Sequence, residues 1–509
     1  MRKNTDESKE NGMKNANCLV NKNYRIADID ERVYGSFIEH MGRAVYTGIY
    51  EPDHQEADEQ GFRKDVIQAI NELNVPIVRY PGGNFLSGYD WKDGIGPKEE
   101  RPVRLDYAWF SIEDNTFGID EFADWSKKAK TEGMIAVNLG TGTPAEAGQL
   151  IEYCNIEKGT HWSDLRRKNG HEEPHNFKVW CLGNEMDGPW QTCQLTAEDY
   201  GKKAKETAKI LKWVDPDIEL VACGSSSKEM PTFPEWDLTV LDHTYEYVDF
   251  ISLHRYYEYN GDVQNFLAAH YDLNEFIQTI RAAADYVKAK HRGTKDIYLS
   301  LDEWNVWYNS QMDTKRWQHA PAIAEDVYTL LDALVVGGLL CTIVNNADRV
   351  RMACLAQLVN ALAPIHTAPN GEVLKHTTYY PFQQVSNYGR GDVYKNLVVC
   401  DDVETERFGK IPELQSLTTF DADKGELAFF VLNTNQTEDI KLDLDLKEFG
   451  QLKMIDHEVL VGDDMFAVNS FENPQNVVPE KVNLVETIGT EFAIELPKLS
   501  WHMVRFSVQ

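Results

Sequence analysis

Two short apolar runs in this sequence end abruptly in carboxylates. Residues 179–185 read Val-Trp-Cys-Leu-Gly-Asn-Glu and end at Glu185, and residues 297–303 read Ile-Tyr-Leu-Ser-Leu-Asp-Glu and end at Glu303. Apolar runs of this length are typical of buried strands in a parallel sheet. Two carboxylates at strand ends can hydrolyse a glycosidic bond, because one protonates the leaving oxygen while the other attacks or activates water. The sequence alone leaves open which of the two is the acid.

Polar and aromatic side chains gather at the same predicted strand ends. Carboxylates and amides hydrogen-bond sugar hydroxyls, and aromatic rings cover the apolar face of a sugar ring. The candidate ligand-binding residues are Glu39, Asn84, Asn184, His254, Tyr256 and Trp307. Further aromatic residues of the same predicted loops are Trp91, Trp190, Trp304 and Tyr257. This combination favours a neutral polyhydroxyl ligand, that is, a carbohydrate.

Eight predicted strands alternate with helices over roughly 350 residues, which is the pattern of a (β/α)8 TIM barrel. The predicted strands are 34–39, 76–80, 135–139, 179–185, 219–223, 250–254, 297–303 and 340–344. The predicted helices are 62–73, 119–132, 145–153, 196–211, 274–290, 322–336 and 353–362. In such a barrel the active site lies at the carboxyl ends of the strands. An open doubly wound sheet would alternate in the same way, but no dinucleotide-binding signature accompanies this pattern.

The hydrophobic period changes after about residue 385. Between 440 and 446 apolar residues alternate with charged ones, and Asp-Lys-Gly at 423–425 indicates a hairpin turn. We therefore predict a C-terminal antiparallel β-sandwich of jelly-roll type over 385–509, packed against a catalytic barrel over 34–384. Residues 17–33 are predicted to be strands that join the sandwich, and residues 1–16 to be a disordered polar tail.

Composition excludes several classes of partner. Asp and Glu outnumber Lys and Arg by 82 to 51, and the net charge of −31 disfavours contact with nucleic acid or an anionic membrane. No apolar run approaches the ~20 residues of a membrane helix, and the polar N-terminus lacks the apolar segment of a secretory signal. The eight cysteines form no C-x-x-C pair, and Cys181, Cys223 and Cys341 lie in apolar runs that resemble strands. Buried reduced thiols indicate a cytoplasmic protein.

Two motif matches fail on physical grounds. Residues 171–175, His-Glu-Glu-Pro-His, fit the zinc pattern H-E-x-x-H, but that pattern needs both histidines on one helical face and Pro174 prevents a helix there. Residues 140–145 fit G-x-G-x-x-A, but they lie in the third βα unit, and the next acidic residues, Glu146 and Glu152, are not about 20 positions further on. We predict neither a metal nor a cofactor.

Four motifs resemble those of glycoside hydrolase family 51, the retaining α-L-arabinofuranosidases of the large (β/α)8 clan. They are Tyr34-Gly-Ser-Phe-Ile-Glu39-His, Arg79-Tyr-Pro-Gly-Gly-Asn84-Phe, Trp180-Cys-Leu-Gly-Asn-Glu185-Met-Asp-Gly-Pro-Trp190 and Asp302-Glu303-Trp-Asn-Val-Trp307. The resemblance extends from about residue 18 to the C-terminus. It implies retention through a covalent arabinosyl-enzyme, with Glu185 as acid/base and Glu303 as nucleophile.

The same resemblance implies which residues bind the furanose in the −1 subsite. They are Glu39, Asn84, Asn184, Tyr256 and Gln357. It also implies an arabinose-containing oligosaccharide as substrate and, as in many intracellular bacterial members, a homohexamer. Two alternatives stay open. One is another retaining glycosidase of the same clan, such as an endo-glucanase, a xylanase or a β-xylosidase, and the other is a non-catalytic sugar-binding protein.

Overall fold

Two large sheets organise the chain, which the computed structural model describes over residues 13–308, 312, 315–484 and 487–509. The first strand, β1 (Met13–Asp28), belongs to the second of these sheets. Within the described residues, eight parallel strands then close into a barrel, which confirms the predicted TIM barrel. They are β2 (Gly35–Phe37), β3 (Ile77–Tyr80), β4 (Glu132–Val137), β5 (Val179–Leu182), β6 (Glu219–Ala222), β7 (Phe250–Tyr257), β8 (Tyr298–Val306) and β9 (Val350–Ala356).

Helices cover the outside of the barrel. They are α1 (Lys64–Leu73), α2 (Ile119–Ala129), α3 (Pro144–Asn155), α4 (His161–Lys168), α5 (Ala197–Val214), α6 (Glu235–Thr244), α7 (Val263–Leu267), α8 (Ala269–Lys290), α9 (Leu330–Asn345) and α10 (Tyr379–Tyr388). Helix α1 buries Val66, Ala69, Ile70 and Leu73, at the spacing of one helical face. The Thr196 side chain caps α5 by accepting the amide N–H of Asp199.

The last βα unit differs from the sequence prediction. The run predicted as strand eight, 340–344, lies inside helix α9, and the predicted helix 353–362 is the end of β9 followed by a loop. Helix α9 is buried on all sides, so its sequence has no polar face and no helical period. An apolar run of that kind cannot be distinguished from a buried strand by its pattern. Cys341 is therefore a helix residue.

The second domain is one large sheet that folds over on itself. Among the described residues it contains β1 and nine C-terminal strands, in the order β15–β14–β18–β12–β11–β10–β1–β13–β17, with β16 beside β14. These strands are β10 (Asp392–Val399), β11 (Leu414–Asp421), β12 (Glu426–Asn433), β13 (Asp439–Asp445), β14 (Leu452–Leu460), β15 (Glu480–Lys481), β16 (Ile488–Gly489), β17 (Glu491–Leu496) and β18 (Ser500–Val508). The rings of Phe492 on β17 and Phe506 on β18 lie 4.6 Å apart, although several strands separate them in this order. The sheet therefore encloses a core of its own, as a sandwich does.

Strand β1 changes two details of the predicted N-terminal region. Residues 13–16 belong to this strand and are not part of a disordered tail, while the rest of the predicted tail lies outside the described residues. The strand ends at Asp28, and a 3-10 turn (Glu31–Tyr34) leads into the barrel. Its pairing with β10 is antiparallel but its pairing with β13 is parallel, so the sandwich is not purely antiparallel.

The eight cysteines carry free thiols, and six of them are buried. Cys193 is exposed and Cys400 is partly buried. Among the helices that the structure describes, none combines the length and apolar character needed to cross a membrane.

Trp501 joins the two domains. Its fully buried ring stacks on Phe430 at 5.9 Å, and its Nε1–H donates to Oε1 of Gln384 in α10 at 2.8 Å. Gly337 of α9 allows the close approach, because a Cβ there would lie 2.6 Å from the indole.

Replacing Trp501 with alanine should remove about 3–5 kcal/mol of stability, because it opens a cavity and leaves the Gln384 oxygen unpaired. Urea unfolding followed by tryptophan fluorescence would measure the shift in midpoint. Trp213→Ala is the matched control, since that side chain is 73% exposed. Equal midpoints for the two variants would contradict the proposed role of Trp501 at the interface.

Candidate active site

The carboxyl ends of the barrel strands open into one cleft with a volume of about 690 Å³. One wall comes from the segment 104–113, which forms a small three-stranded sheet with Gln318–His319. The sequence-predicted residues that line the cleft are Glu39, Asn84, Glu185, Trp190, Tyr256, Glu303, Trp307 and Gln357. Both carboxylates of the predicted pair therefore face the same space.

Glu303 lies on β8 and is 5% exposed. Its Oε1 accepts a hydrogen bond from Nη1 of Arg79 at 2.7 Å, and its Oε2 accepts one from the Tyr256 hydroxyl at 2.8 Å. Burial, together with the negative charges of Glu303 and Glu185, raises the pKa of Tyr256 well above its ordinary value, so the phenol remains a donor. Two fixed donors therefore hold this carboxylate in one orientation.

Glu185 follows β5 in a tight turn. Gly183 and Glu185 have φ values of 90° and 41°, in the left-handed region that glycine adopts readily and glutamate rarely. This backbone aims the Glu185 side chain into the cleft. The indole N–H of Trp190 donates to Oε2 of Glu185, and Nδ1 of His254 lies 2.9 Å from Oε1.

His254 is buried and contacts the carboxylates of both Glu185 and Glu303. Its Nε2 lies 2.7 Å from Oδ1 of Asp302, and its Nδ1 lies 3.5 Å from Oε2 of Glu303. Burial opposes a charge on His254, but the carboxylates of Glu303, Asp302 and Glu185 outweigh it and raise the histidine pKa well above its ordinary value. A carboxylate oxygen of Glu185, a carboxylate oxygen of Glu303 and a His254 ring nitrogen all lie within 4.8 Å of one another.

Arg79 is a fully buried cation on β3. Besides Glu303 it binds Oδ1 of Asn184 through Nη2 at 2.6 Å, and its Nε lies 3.8 Å from Asp302. Because Arg79 binds the amide oxygen of Asn184, the amide nitrogen Nδ2 is left as the free end of the side chain. Its hydrogen bond to Oε1 of Gln191 is long, at 3.4 Å. Asn184 is therefore positioned to donate a hydrogen bond.

Glu39 follows β2 and is buried in the lining of the cleft. Its Oε1 accepts hydrogen bonds from the backbone N–H of Phe85 and from Nε1 of Trp109, each at 2.9 Å. Burial, and to a smaller extent the charge of Glu303, raises the pKa of Glu39 to about 8. Its own N–H donates to Oε1 of Gln357 at 2.9 Å. Glu39 is thus a carboxylic acid at neutral pH, able both to accept and to donate.

Comparisons with known proteins place this site in a family. The model described as alpha-L-arabinofuranosidase C-terminal domain matches residues 302–500, and the one described as alpha-L-arabinofuranosidase 1 domain matches residues 69–275. Two curated intracellular exo-alpha-(1->5)-L-arabinofuranosidases, from Acetivibrio thermocellus and Bacillus subtilis, are each 50% identical to this chain. Those alignments cover 97% and 98% of this chain and 99% and 100% of the relatives. The chain belongs to glycoside hydrolase family 51.

Solved structures of alpha-L-arabinofuranosidases agree with this assignment. A family 51 alpha-L-arabinofuranosidase of Bifidobacterium longum is 41% identical, with a TM-score of 0.93 over 97% of this chain and 100% of its own. An alpha-L-arabinofuranosidase of Thermotoga maritima, solved as an arabinose complex, is 35% identical, with a TM-score of 0.86 over 97% of this chain and 100% of its own. The protein is therefore a glycoside hydrolase with the fold of this family.

The predicted aromatic residues of the family 51 site divide into two groups. Trp190 and Trp307 line the cleft, and the buried Nε1 of Trp307 has no hydrogen-bond partner among the described residues. Trp91, Trp304 and Tyr257 lie outside the cleft lining. Trp91 packs on Tyr153 with ring centroids 5.3 Å apart, Trp304 is 1% exposed within the core, and the Tyr257 hydroxyl contacts Asp272 at 3.2 Å. Their prediction as ligand-facing residues was wrong.

Sequence reasoning missed three residues that shape the site: Arg79, Asp302 and Trp109. Arg79 carried a detectable signal, since a cation inside the apolar strand Ile77–Tyr80 requires a buried anionic partner. Trp109 gave no signal, because it lies on a loop whose path over the cleft depends on the short strands around it.

The segment 171–175 is not helical, in agreement with the argument from Pro174 against a helical zinc motif. The Gly-rich segment 140–143 is a loop before α3, which Thr143 caps by accepting the N–H of Glu146.

Proposed function

We propose that the protein is a retaining, exo-acting α-L-arabinofuranosidase that releases terminal non-reducing α-L-arabinofuranosyl residues from arabino- and arabinoxylo-oligosaccharides. The observation that carries this proposal is the short separation, within 4.8 Å, between carboxylate oxygens of Glu185 and Glu303. Retaining glycosidases hold their two carboxyl groups about 5–5.5 Å apart, whereas inverting enzymes leave about 6.5–9.5 Å for a water molecule. The curated relatives named as exo-acting arabinofuranosidases support the sugar and the mode of attack.

In the first step Glu303 attacks the anomeric carbon, the bond from that carbon to the leaving oxygen breaks, and the proton of Glu185 moves to that oxygen. Arg79 and Tyr256 keep the Glu303 carboxylate in line for attack, and the raised pKa of Tyr256 keeps its phenol protonated and therefore a poor nucleophile. In the second step Glu185 takes a proton from water, the water oxygen bonds to the anomeric carbon, and the bond to Glu303 breaks. The products are arabinose of unchanged configuration and a shortened oligosaccharide.

Binding of the furanose fits the remaining polar groups. Asn184 Nδ2, Trp307 Nε1 and the protonated Glu39 present donors, and Gln357 and Asn84 add amide groups at the cleft surface. An apolar cluster that includes Met41 and Leu362 packs beside Trp109, Tyr256 and Trp307.

Hydrolysis of 4-nitrophenyl α-L-arabinofuranoside, with NMR of the product before mutarotation, tests the proposal. An initial α-arabinofuranose product is expected. An initial β product would mean inversion and would make Glu303 a base for water. Turnover of a β-xyloside or a glucoside, without turnover of the arabinofuranoside, would replace the substrate with that of the alternative clan activities.

The pH dependence of kcat/KM provides a further prediction. Ionisation of Glu39, whose pKa is about 8, would place a new charge beside Glu303 and remove a donor, so kcat/KM should fall as pH rises above that value. A 4-nitrophenyl glycoside is the suitable substrate, since its leaving group depends little on the proton of Glu185. Glu39→Gln keeps an acceptor and a donor without ionising, and should abolish this alkaline limb. An unchanged alkaline limb in that variant would exclude Glu39 as its source.

We propose two further properties of this protein, its cellular location and its oligomeric state. The relatives' names describe intracellular enzymes, which agrees with the cytoplasmic location predicted from the thiols. The homohexamer implied by the family resemblance is testable by sedimentation equilibrium.

A further inference from the structure

A second cluster of potential ligand atoms lies outside the catalytic cleft. Asp120 is in the first turn of α2, and His171 and His175 lie in the segment between α4 and β5. One carboxylate oxygen of Asp120 and one ring nitrogen from each histidine lie within 4.8 Å of one another. Three side chains from two separate elements therefore converge on one point.

The hydrogen bonds within this cluster do not satisfy all of its buried polar atoms. Nε2 of His175 lies 2.7 Å from Oδ1 of Asp120, and Nδ1 of His171 lies 3.8 Å from the same oxygen, beyond hydrogen-bond distance. The His175 side chain is fully buried, and Nδ1 of His171 is a buried nitrogen with no partner among the described residues. Buried polar atoms without a partner are rare and call for an unseen ligand or water.

The groups around the cluster are those that commonly orient metal ligands. Nε2 of His171 lies 3.2 Å from Oδ2 of Asp124, so a carboxylate fixes the ring and leaves Nδ1 pointing toward Asp120. The second oxygen of Asp120 accepts the Tyr153 hydroxyl at 2.7 Å, which in turn accepts Nδ2 of Asn169 at 3.0 Å. Metal-binding histidines and carboxylates usually have such outer partners.

We propose that Asp120, His171 and His175 bind a divalent transition-metal ion of the zinc type. Two imidazole nitrogens and one carboxylate oxygen suit zinc, and a water molecule can complete a tetrahedron because the His171 side chain is 20% exposed. Bonds of about 2 Å in a tetrahedron place ligand atoms about 3.3 Å apart, between the observed 2.7 and 3.8 Å. The two distances to Asp120 therefore differ from the tetrahedral separation by roughly half an ångström.

The ligands do not share a helix, so Pro174 is no obstacle to this arrangement. The ion would fasten the segment 169–178 to helix α2 and thereby support the approach to β5, the strand that precedes Glu185. One potential ligand atom from each of Glu185, His254 and Glu303 also lies within 4.8 Å of the other two. Both ring nitrogens of His254 already contact carboxylates, however, and these residues belong to the catalytic cleft.

Isothermal titration of the chelator-treated protein with ZnCl2 tests the proposal, with trypsin cleavage after Lys168 and Lys178, at the two ends of this segment, as a second readout. We expect one ion per chain and protection of this segment by zinc. His171→Ala should weaken zinc binding by about 100-fold or more, and Asp124→Asn by about 10- to 100-fold, because it disturbs only the orientation of His171. His291→Ala is the matched control, since that histidine also contacts a carboxylate but lies on the surface.

Several outcomes would overturn the proposal. One is the absence of saturable binding to the wild-type protein, which would leave a hydrogen-bonded cluster only. Another is equal affinity in His171→Ala, or loss of binding in Cys193→Ser, which would place the ion at the exposed thiol. If His171→Ala fails to fold, Asp124→Asn decides, and unchanged affinity in that variant counts against the site. None of these results depends on the proposed glycosidase activity.

Discussion

Replacing Glu303 with alanine is expected to lower kcat/KM for 4-nitrophenyl α-L-arabinofuranoside by about 10⁴-fold or more. The variant lacks the carboxylate that is placed to attack the anomeric carbon. Its neighbours Arg79 and Tyr256 are donors at 2.7 and 2.8 Å and offer no nucleophile in its place. Steady-state kinetics with the purified variant would measure the loss, and circular dichroism would check that the fold is intact.

Azide distinguishes loss of the nucleophile from general damage. The anion can enter the space of the missing carboxylate and attack the same face of the sugar, so Glu303→Ala should form β-arabinofuranosyl azide, with inverted configuration. Glu258→Ala is a suitable control, because this glutamate is exposed just beyond the end of β7. Activity within tenfold of wild type, or an azide product of retained configuration, would refute the assignment of Glu303.

The strand-end rule explains why the two glutamates could be found from sequence. Parallel strands buried on both faces produce apolar runs, and the polar residue that ends such a run lies toward the carboxyl edge. Glu185 follows β5, whereas Glu303 lies within β8, which continues to Val306. The same rule failed for α9, because a helix enclosed by barrel and sheet produces an apolar run too. Its length of 16 residues was the available signal, since buried strands rarely exceed about eight.

Around Glu303, the usual alternation of side chains along a strand does not predict which way they face. Simple alternation along β8 would send Asp302 and Glu303 to opposite faces. The pairing of β8 with β7 shifts register between Ser300 and Glu303, as it does with β9 nearby, and both carboxylates reach the same cluster. Trp304 then faces the core and not the sugar site. Such an irregularity depends on two neighbouring strands and is not visible in one segment.

The charge pairs of the site could not be predicted from local sequence either. Glu185, Asp302 and Glu303 are stabilised by Arg79 and His254, and the Arg79–Glu303 pair is separated by 224 positions in the chain. Barrel closure brings these residues together, so their pairing follows from strand order and not from motif spacing. The raised pKa of His254 arises from the same closure, because its carboxylate neighbours Glu303 and Asp302 belong to β8 and Glu185 belongs to the turn after β5.

Replacing Glu185 with alanine should affect substrates according to their leaving group. For 4-nitrophenyl α-L-arabinofuranoside the first step needs little protonation, so kcat/KM should fall far less than for an arabino-oligosaccharide, where loss of the general acid costs about 10²–10⁴-fold. The second step lacks its base for both substrates, so kcat should fall and the arabinosyl-enzyme should accumulate. Comparing kcat/KM for the two substrates, and intact-protein mass spectrometry, would measure both effects.

Azide should restore turnover of this variant and give α-arabinofuranosyl azide, because the anion attacks the covalent intermediate from the face where Glu185 stood. The configuration is opposite to that expected for Glu303→Ala, so the pair of variants separates the two roles. Trp190→Phe is the matched control, since it removes the hydrogen bond to Oε2 of Glu185 and keeps the carboxylate. That variant should preserve the wild-type ratio between the two substrates. An equal loss for good and poor leaving groups in Glu185→Ala would mean that Glu185 positions the substrate and does not donate the proton.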